Sequence, residues 1–169
     1  FQVKPMNFKH TGLFPEQAVN WDFVMDKIRN AGRPIRVLNL FAYTGAASLA
    51  AKCAGADVTH LDSVRQVVTW AHGNQDRSGL DGIRWVVEDA MKFANREAKR
   101  GNLYQGVILD PPAYGHGPDG EKWKLDECLF DMMKTVGKIL APQNSFLVLN
   151  LYSNGFSAIL GETVVRQAF

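Results

Sequence analysis

One stretch constrains the fold of this chain more than any other: Ile35-Arg36-Val37-Leu38-Asn39-Leu40-Phe41-Ala42-Tyr43-Thr44-Gly45. It begins as an apolar, β-branched segment, passes through a short polar and aromatic loop, and is followed at 46–54 by small residues that pack closely in a helix. The pattern predicts a strand, a turn and a helix N-terminus within about 20 residues. Open parallel α/β sheets bind ligands at the carboxyl end of such a strand, against the free N–H groups of the next helix. We expect this loop to form the floor of a binding site.

The same loop restricts the class of ligand. Dinucleotide-binding folds place G-x-G-x-x-G here so that the backbone can approach a pyrophosphate, but this loop has one glycine and the larger Phe41, Tyr43 and Thr44. The chain also lacks the G-x-x-x-x-G-K-[ST] phosphate loop. The pattern argues against NAD and nucleoside triphosphates. It favours a ligand with a nucleoside end, an amino-acid end and no phosphate.

The composition is that of one globular domain. The chain has 169 residues, of which 46% are hydrophobic and 21% charged, and a formal net charge of +2. This length is enough to bury a sizeable core, and the charge gives no sign of a protein that coats polyanions, although a local basic patch is compatible with it. Residues 1–7 lack a signal-peptide core and no apolar run could span a bilayer, so we expect a cytoplasmic protein.

The cysteines and histidines show no metal-ligand spacing. Cys53 and Cys128 lie far apart in predicted helices and are interpreted as buried, reduced thiols. No metal site is predicted.

The second predicted strand, 56–61, is followed directly by Asp62. Nucleotide-binding α/β folds place a carboxylate about 20 residues after the glycine loop, where it binds ribose hydroxyls. The alternative is a helix N-cap, since a helix is predicted over 64–78. We expect both roles to be filled, with Ser63 as the cap and Asp62 reaching the ligand.

The third predicted strand, 83–87, leads through Glu88 to Asp89 and then to a predicted helix at 90–99. A carboxylate at this position can accept a hydrogen bond from an exocyclic amine such as that of adenine. N-capping of the helix is equally compatible with the residue type.

The fourth predicted strand, 104–109, runs into Asp110-Pro111-Pro112-Ala113-Tyr114. A residue before proline is held in extended geometry, and neither proline donates a backbone hydrogen bond, so the loop is stiff and its acceptors have no competing N–H beside them. Such a loop can hold a substrate amine or ring edge, and Tyr114 is available to stack on a planar base. Gly115 and Gly117 allow the next segment to move.

The remaining pattern completes an alternating α/β chain. Helices are also predicted at 16–30, 125–140 and 156–167, and a fifth strand at 145–151. Residues 1–20 form an irregular arm, within which Thr11-Gly12-Leu13-Phe14-Pro15-Glu16-Gln17 can fold over a ligand or pack as a plain N-terminal extension.

Together these features resemble the class I S-adenosylmethionine-dependent methyltransferases, specifically the RNA methyltransferase group that contains the 23S rRNA large-subunit enzymes. The resemblance covers nearly the whole chain, and its specific motifs are Asn39-Leu40-Phe41-Ala42-Tyr43-Thr44-Gly45 and Asp110-Pro111-Pro112. The run from His10 to Gln17 is similar to the arm that precedes the methyltransferase core in that group. The resemblance implies a Rossmann-like α/β fold, a mostly parallel twisted sheet with helices on both faces. Residues 1–20 are then an arm over the cofactor site, and residues 21–169 are the catalytic core.

The resemblance also implies the ligands: S-adenosylmethionine as cofactor and RNA, in particular ribosomal RNA, as substrate, without a metal or a membrane. It places the methionine end of the cofactor at 39–45, the ribose at Asp62 and the adenine near Ser63, Asp89 and Ala90. The cofactor-binding residues it implies are Thr11, Phe14, Gln17, Asn39, Phe41, Tyr43, Thr44, Gly45, Asp62, Ser63, Asn74, Asp89, Ala90 and Asp110, and the catalytic residues are Asp110, Pro111, Pro112 and Tyr114.

Two departures from the group matter. Members that methylate carbon 5 of cytosine attack with a cysteine shortly after the fifth strand, and the corresponding run Leu149-Asn150-Leu151-Tyr152-Ser153-Asn154 has none. We therefore expect methylation of a base nitrogen. The alternatives are a methyltransferase for a small molecule or protein, which the low net charge favours, and a nucleoside-binding module without catalysis.

The second departure is the number of strands. The group closes its sheet with a sixth and seventh strand as an antiparallel hairpin, and the sequence provides five candidates. We expect that hairpin to be missing, the core to be incomplete at its carboxyl end, and RNA to bind this chain only weakly.

Overall fold

A computed structural model describes residues 1–4, 11–152, 155 and 157–169. The strands are β1 (Arg36–Leu40), β2 (Asp57–Asp62), β3 (Arg84–Val87), β4 (Gly106–Leu109), β5 (Tyr114–His116), β6 (Lys122–Lys124) and β7 (Phe146–Leu149). Five of them form a parallel sheet in the order β3-β2-β1-β4-β7, and β5 and β6 form a separate antiparallel hairpin.

The helices cover both faces of the sheet. They are α1 (Ala18–Arg29), α2 (Ala46–Cys53), α3 (Arg65–Arg77), α4 (Ala90–Lys99), α5 (Leu125–Ile139) and α6 (Ala158–Ala168), with a 3-10 turn at Pro15–Gln17 before α1. Because side chains alternate along a strand, β1 supplies both cores: Val37 packs with residues of α1 and α2, and Leu38 and Leu40 pack with residues of α4 and α5. Each fully buried aliphatic side chain stabilises the fold by about 1.5–3 kcal/mol.

The order of the strands fixes where a ligand can enter. From β1 the chain adds β2 and β3 on one side, and then returns to add β4 and β7 on the other. The direction of winding therefore reverses between β1 and β4. In open α/β sheets a crevice forms outside the carboxyl ends of the strands at this point.

The predicted Rossmann-like fold is confirmed, and each predicted helix and strand is present with ends that differ by a few residues. The strand predicted over 104–109 begins at Gly106, and the one predicted over 145–151 is confined to Phe146–Leu149. His10, the turn residues Ser153 and Asn154, and the predicted helix start at Phe156 lie outside the described residues.

The hairpin of β5 and β6 was not predicted from the sequence. The sequence pattern places Tyr114 in the loop after β4, but Tyr114 pairs with Lys124 as the first residue of this hairpin. This hairpin lies between β4 and α5 along the chain and does not pair with the main sheet. It is thus distinct from the edge hairpin that closes the sheet in the related group.

The expectation for the cysteines is only partly correct. Both thiols are free, but Cys53 is exposed and Cys128 is half-buried. In the described part of the chain no helix is long and apolar enough to cross a membrane. The same residues include no cluster of three or more His, Cys, Asp or Glu side chains that could hold a metal ion.

Candidate active site

A first cavity opens at the crevice between β1 and β4. The space between its walls, including its open mouth, is about 580 Å³. Its walls come from the carboxyl ends of β1, β4 and β7, the start of α2, and the arm. The predicted site residues that line it are Phe14, Gln17, Asn39, Phe41, Tyr43, Thr44, Gly45 and Asp110. The sequence did not single out three further polar or aromatic lining residues, Asn20, Trp21 and Asn150.

A second cavity, of about 320 Å³, lies at the carboxyl ends of β2 and β3. Its predicted residues are Phe41, Asp62, Ser63, Asp89, Ala90 and Pro112, and the unpredicted hairpin adds Gly115, His116, Gly117 and Trp123. Phe41 lines both cavities. The two cavities are therefore neighbours, and Phe41 belongs to the wall of each.

The loop after β1 has an unusual backbone. Phe41 and Tyr43 have φ values of 56° and 50°, a left-handed conformation that costs roughly 1–3 kcal/mol for each non-glycine residue. Hydrogen bonds from the Ala42 N–H to the Leu61 carbonyl (3.0 Å) and from the Tyr43 N–H to Asp62 Oδ2 (2.9 Å) hold it there. The fold thus fixes the loop in a conformation that the isolated chain would avoid.

Asp62 joins this loop to the end of β2. Its Oδ2 accepts from Tyr43 and its Oδ1 accepts from the Val64 N–H at 3.0 Å. Burial raises the pKa of the Asp62 carboxyl, and the backbone N–H groups around it oppose the shift. Because each carboxylate oxygen can accept more than one hydrogen bond, Asp62 keeps acceptor capacity toward the second cavity, as ribose binding requires.

The prediction that Ser63 caps the next helix is wrong. The N-cap residue of α3 is Val64, which has no side-chain cap hydrogen bond. Asp62 takes over the local role by accepting from the Val64 N–H. Ser63 instead lines the second cavity.

Asp89 fills the capping role that the sequence left open. It is the N-cap of α4, and its Oδ1 accepts from the Lys92 N–H at 2.8 Å. Asp89 also lines the second cavity, so its other oxygen can accept a hydrogen bond there. Capping fixes the carboxylate beside the cavity and does not compete with ligand binding.

A buried network of hydrogen-bonded side chains lies beside the β1 loop. Asn39 Nδ2 donates to Ser48 Oγ at 2.9 Å, and Ser48 Oγ lies 3.0 Å from His60 Nδ1. All three side chains are buried. Burial lowers the pKa of His60 to about 3, so its imidazole is neutral near pH 7. This network therefore fixes Asn39, near the end of β1, without placing a charge beside the site.

The N-terminus of α2 faces the first cavity. Ala46 and Ala47 line it directly after Gly45, whose φ of 93° turns the chain into the helix. The first N–H groups of a helix have no partner within the helix and bind anions such as carboxylates. This end of the site fits the carboxylate of an amino acid.

Asp110 occupies the opposite wall, at the end of β4. Its Oδ1 accepts from Asn150 Nδ2 at 2.7 Å, and Asn150 follows β7 directly. Burial raises the pKa of Asp110, the hydrogen bond from Asn150 opposes the shift, and the negative charge of Glu16 adds to it. Asp110 also acts on Tyr152, whose pKa is raised by burial and by the charge of Asp110. A carboxylate and an amide thus meet in the wall of the first cavity.

The other predicted catalytic residues are distributed differently. Pro111 is buried and Pro112 lines the second cavity. Tyr114 lies on β5 and is 72% exposed, outside the linings of both cavities. Its predicted role in stacking on a substrate base stays a prediction, and its exposure is compatible with that role.

The arm is attached to the β1 loop and α3 by hydrogen bonds. Thr44 Oγ1 donates to the Gly12 carbonyl, and Trp70 Nε1 donates to the Gln2 carbonyl at 3.0 Å. Asn74, which is fully buried, accepts from the Gln2 N–H (2.7 Å) and donates to the Thr44 carbonyl (3.1 Å).

These contacts change the expectation for two residues. Asn74 lines neither cavity and uses both polar atoms to hold the arm against the loop, so the structure places it in a supporting position. Thr11 is exposed and also lies outside both linings. The arm contributes to the first cavity through Gly12, Leu13, Phe14 and Gln17.

The donor set fits S-adenosylmethionine. Asp62 and Asp89 are acceptors at the nucleoside end, and the helix N-terminus and Asp110 can meet the carboxylate and ammonium of an amino acid. No glycine-rich phosphate cradle is present along the β1 loop. The chemistry of the walls thus agrees with a nucleoside linked to an amino acid.

Known proteins match this chain over nearly its whole length. The S-adenosylmethionine-dependent methyltransferase family matches residues 1–168. The ribosomal RNA large subunit methyltransferase K/L of Shewanella frigidimarina is 29% identical over 154 residues, which are 89% of this chain and 21% of the relative. The corresponding protein of Pseudoalteromonas translucida is 26% identical over the same shares. The chain spans about a fifth of the length of these relatives.

Solved structures have the same fold. The SAM-dependent methyltransferase from Agrobacterium tumefaciens is 44% identical, with a TM-score of 0.94 over 96% of this chain and 53% of that chain. The putative methyltransferase SMU.776, complexed with SAH, is 21% identical, with a TM-score of 0.81 over 95% of this chain and 41% of that chain. At that lower identity the likeness concerns the fold alone.

Proposed function

The chain belongs to the S-adenosylmethionine-dependent methyltransferase family, and from that premise we propose that it transfers a methyl group to a base nitrogen in ribosomal RNA. The names of the curated relatives, ribosomal RNA large subunit methyltransferases, support the choice of substrate.

One observation carries the proposal: of two neighbouring cavities at the carboxyl ends of the strands, one has the nucleoside acceptors Asp62 and Asp89 and the other has Asp110. When bound, S-adenosylmethionine supplies a methyl group that its sulfonium has already activated. Asp62 then holds the ribose, and the N-terminus of α2 holds the carboxylate. The protein's remaining task is to align a nucleophile and to stabilise the charge that develops on it.

Asp110 is suited to this task. The hydrogen bond from Asn150 fixes its carboxylate, which can accept a hydrogen bond from a substrate amine and stabilise the positive charge that forms on the nitrogen. Burial raises the pKa of Asp110, which makes this carboxylate a better proton acceptor once the methyl group has been transferred.

The cysteines argue against carbon methylation. Cys53 and Cys128 lie within α2 and α5, away from the strand ends that form the site. Attack on carbon 5 of cytosine needs a nucleophile such as a thiolate at the acceptor position. A nitrogen acceptor with its own lone pair needs none.

The direct test is methyl transfer from tritiated S-adenosylmethionine to an unmodified 23S rRNA transcript, followed by nucleoside analysis. We expect the label on a nitrogen-methylated base and its loss in Asp110→Ala. Label on carbon 5 of cytosine would overturn the choice of atom. Transfer to a protein or a small metabolite, with none to RNA, would favour the alternative substrates that the net charge of +2 allows.

A further inference from the structure

Trp123 is the inward-facing residue of the hairpin that the sequence did not predict. It is 5% exposed, whereas its neighbours Lys122 and Lys124 on β6 are exposed. Its ring lies 4.8 Å from the ring of Phe41, centroid to centroid, and its Nε1 donates to the Pro112 carbonyl at 2.7 Å. The Trp123 side chain therefore contacts both the β1 loop and the Asp110–Pro112 loop.

We propose that Trp123 is a positioning residue for methyl transfer. It holds the Asp110–Pro112 loop at a fixed place relative to the β1 loop. This inference rests on the proposed function. It concerns the alignment of the acceptor, a role additional to the place of Trp123 in the wall of the second cavity.

The chemistry of the loop explains why it needs such a residue. Pro111 and Pro112 have no N–H, so the backbone of these two residues can form hydrogen bonds only through its carbonyls. The Ala113 carbonyl accepts from the Leu125 N–H at 3.0 Å, and the Pro112 carbonyl accepts from Trp123. Among the described residues, Trp123 is the one hydrogen-bond donor to Pro112. Without the indole N–H, the Pro112 carbonyl loses its hydrogen bond to β6.

The hairpin that carries Trp123 is itself attached to the body of the protein. Lys92, on α4, forms ion pairs with Asp119 and Glu121, which lie in the turn between β5 and β6. Trp123 also belongs to the core that includes Leu125 and Leu129 of α5. The position of the indole is thus determined from two sides, as a positioning role requires.

The test is Trp123→Phe, which keeps an aromatic ring against Phe41 and removes the N–H. The matched control is Tyr104→Phe, which removes one hydrogen bond from another buried aromatic residue, the 2.8 Å bond to Glu97 Oε2, remote from both cavities. We expect kcat on the 23S rRNA transcript to fall about tenfold in Trp123→Phe, the loss of one buried hydrogen bond. The Kd for S-adenosylmethionine should change by a smaller factor, because the phenyl ring keeps an aromatic wall in the second cavity. Tyr104→Phe should leave both constants unchanged.

Amide hydrogen exchange reports whether the indole N–H holds the loop, and the larger change in kcat than in Kd is the readout that a merely structural role would not produce. In Trp123→Phe we expect faster amide exchange at residues 113–117 and unchanged exchange in the five-stranded sheet. In Tyr104→Phe we expect unchanged exchange at residues 113–117. Unchanged kcat and unchanged exchange in Trp123→Phe would overturn the inference. If the wild type methylates no RNA, the proposed function fails, and the exchange experiment still decides whether Trp123 holds the loop.

Discussion

At the scale of single residues, the site reuses side chains that the fold already needs. Asp62 connects the β1 loop to the end of β2 and keeps acceptor capacity for a ligand. Asp89 caps α4 and lines the same cavity. Such double use places each carboxylate rigidly, because the contacts that hold it are backbone hydrogen bonds. Because these side chains are already fixed, less conformational entropy is lost when a ligand binds.

The first prediction concerns Asp62. Replacing it with Ala should weaken S-adenosylmethionine binding by about 1–3 kcal/mol, since it removes charged hydrogen bonds to the ribose and the anchor of Tyr43. Calorimetric titration measures this change. The matched control is Asp57→Ala at the exposed start of the same strand, which should leave affinity unaltered. Equal affinities for the wild type and Asp62→Ala would remove Asp62 from the site.

The second prediction concerns Asp110. Burial raises its pKa, so its carboxylate is lost to protonation at a higher pH than an ordinary aspartate. We expect kcat to decrease as pH falls through this raised pKa, and Asp110→Asn to lower kcat more than it weakens cofactor binding. A pH profile of kcat for both proteins tests this. An Asp110→Asn profile with the acidic limb of the wild type would assign that limb to another group.

At the scale of elements, the β1 loop and the arm form one unit. Thr44 donates to Gly12, and Asn74 connects Gln2 to the Thr44 carbonyl. The arm contributes Phe14 to the wall of the first cavity. Moving the arm should therefore change the cavity, although the arm lies outside the sheet.

The third prediction tests this attachment with a pair of glycines. A Cβ at Gly12, whose φ is +88°, would lie 2.3 Å from the Trp70 ring, whereas a Cβ at Gly32, with φ +62°, would meet nothing within 4 Å. Both Ala variants carry the backbone strain, and Gly12→Ala alone must displace the arm or the Trp70 ring against which the arm packs. We expect Gly12→Ala to weaken cofactor binding about tenfold, within the range of about 0.5–3 kcal/mol for single disruptive substitutions. Calorimetry that shows the same affinity for both variants would contradict the coupling.

The fourth prediction concerns His60, in the buried network of hydrogen-bonded side chains beside the β1 loop. The folded-state pKa of His60 is about 3, below the roughly 6.5 of an unfolded histidine, so the unfolded chain binds the extra proton between these values. The free energy of unfolding should therefore fall as pH drops from about 6.5 toward 3, by at most about 1.4 kcal/mol per pH unit from this group. Urea unfolding across this range measures the slope. His60→Gln should show a shallower slope, and identical slopes would contradict the assignment.

At the scale of the whole molecule, local signals were sufficient for the fold and for much of the site. An apolar run followed by a polar residue predicts a strand end, and this rule located Asp62 and Asp110. The same rule could have located Asn150, which follows β7 directly. The reversal of the sheet between β1 and β4 then brings these positions to one crevice.

What the sequence could not supply depends on contacts between distant residues. The three-residue strands of the hairpin are too short to show a periodicity, so Trp123 carried no signal of its contact with Pro112. An asparagine side chain is compatible with a ligand contact. The hydrogen bonds of Asn74 to Gln2 and Thr44 depend on how α3 packs against the arm and the β1 loop, which the sequence does not show. Propensity and pattern describe single elements, whereas these roles arise from how elements pack.

The most direct test of this account is a crystal structure of the chain with S-adenosylhomocysteine. We predict the adenosine in the cavity beside Asp62 and Asp89, and the amino-acid end in the cavity between the N-terminus of α2 and Asp110. A ligand bound outside these two cavities, or bound with its ends exchanged, would contradict the assignment of the site.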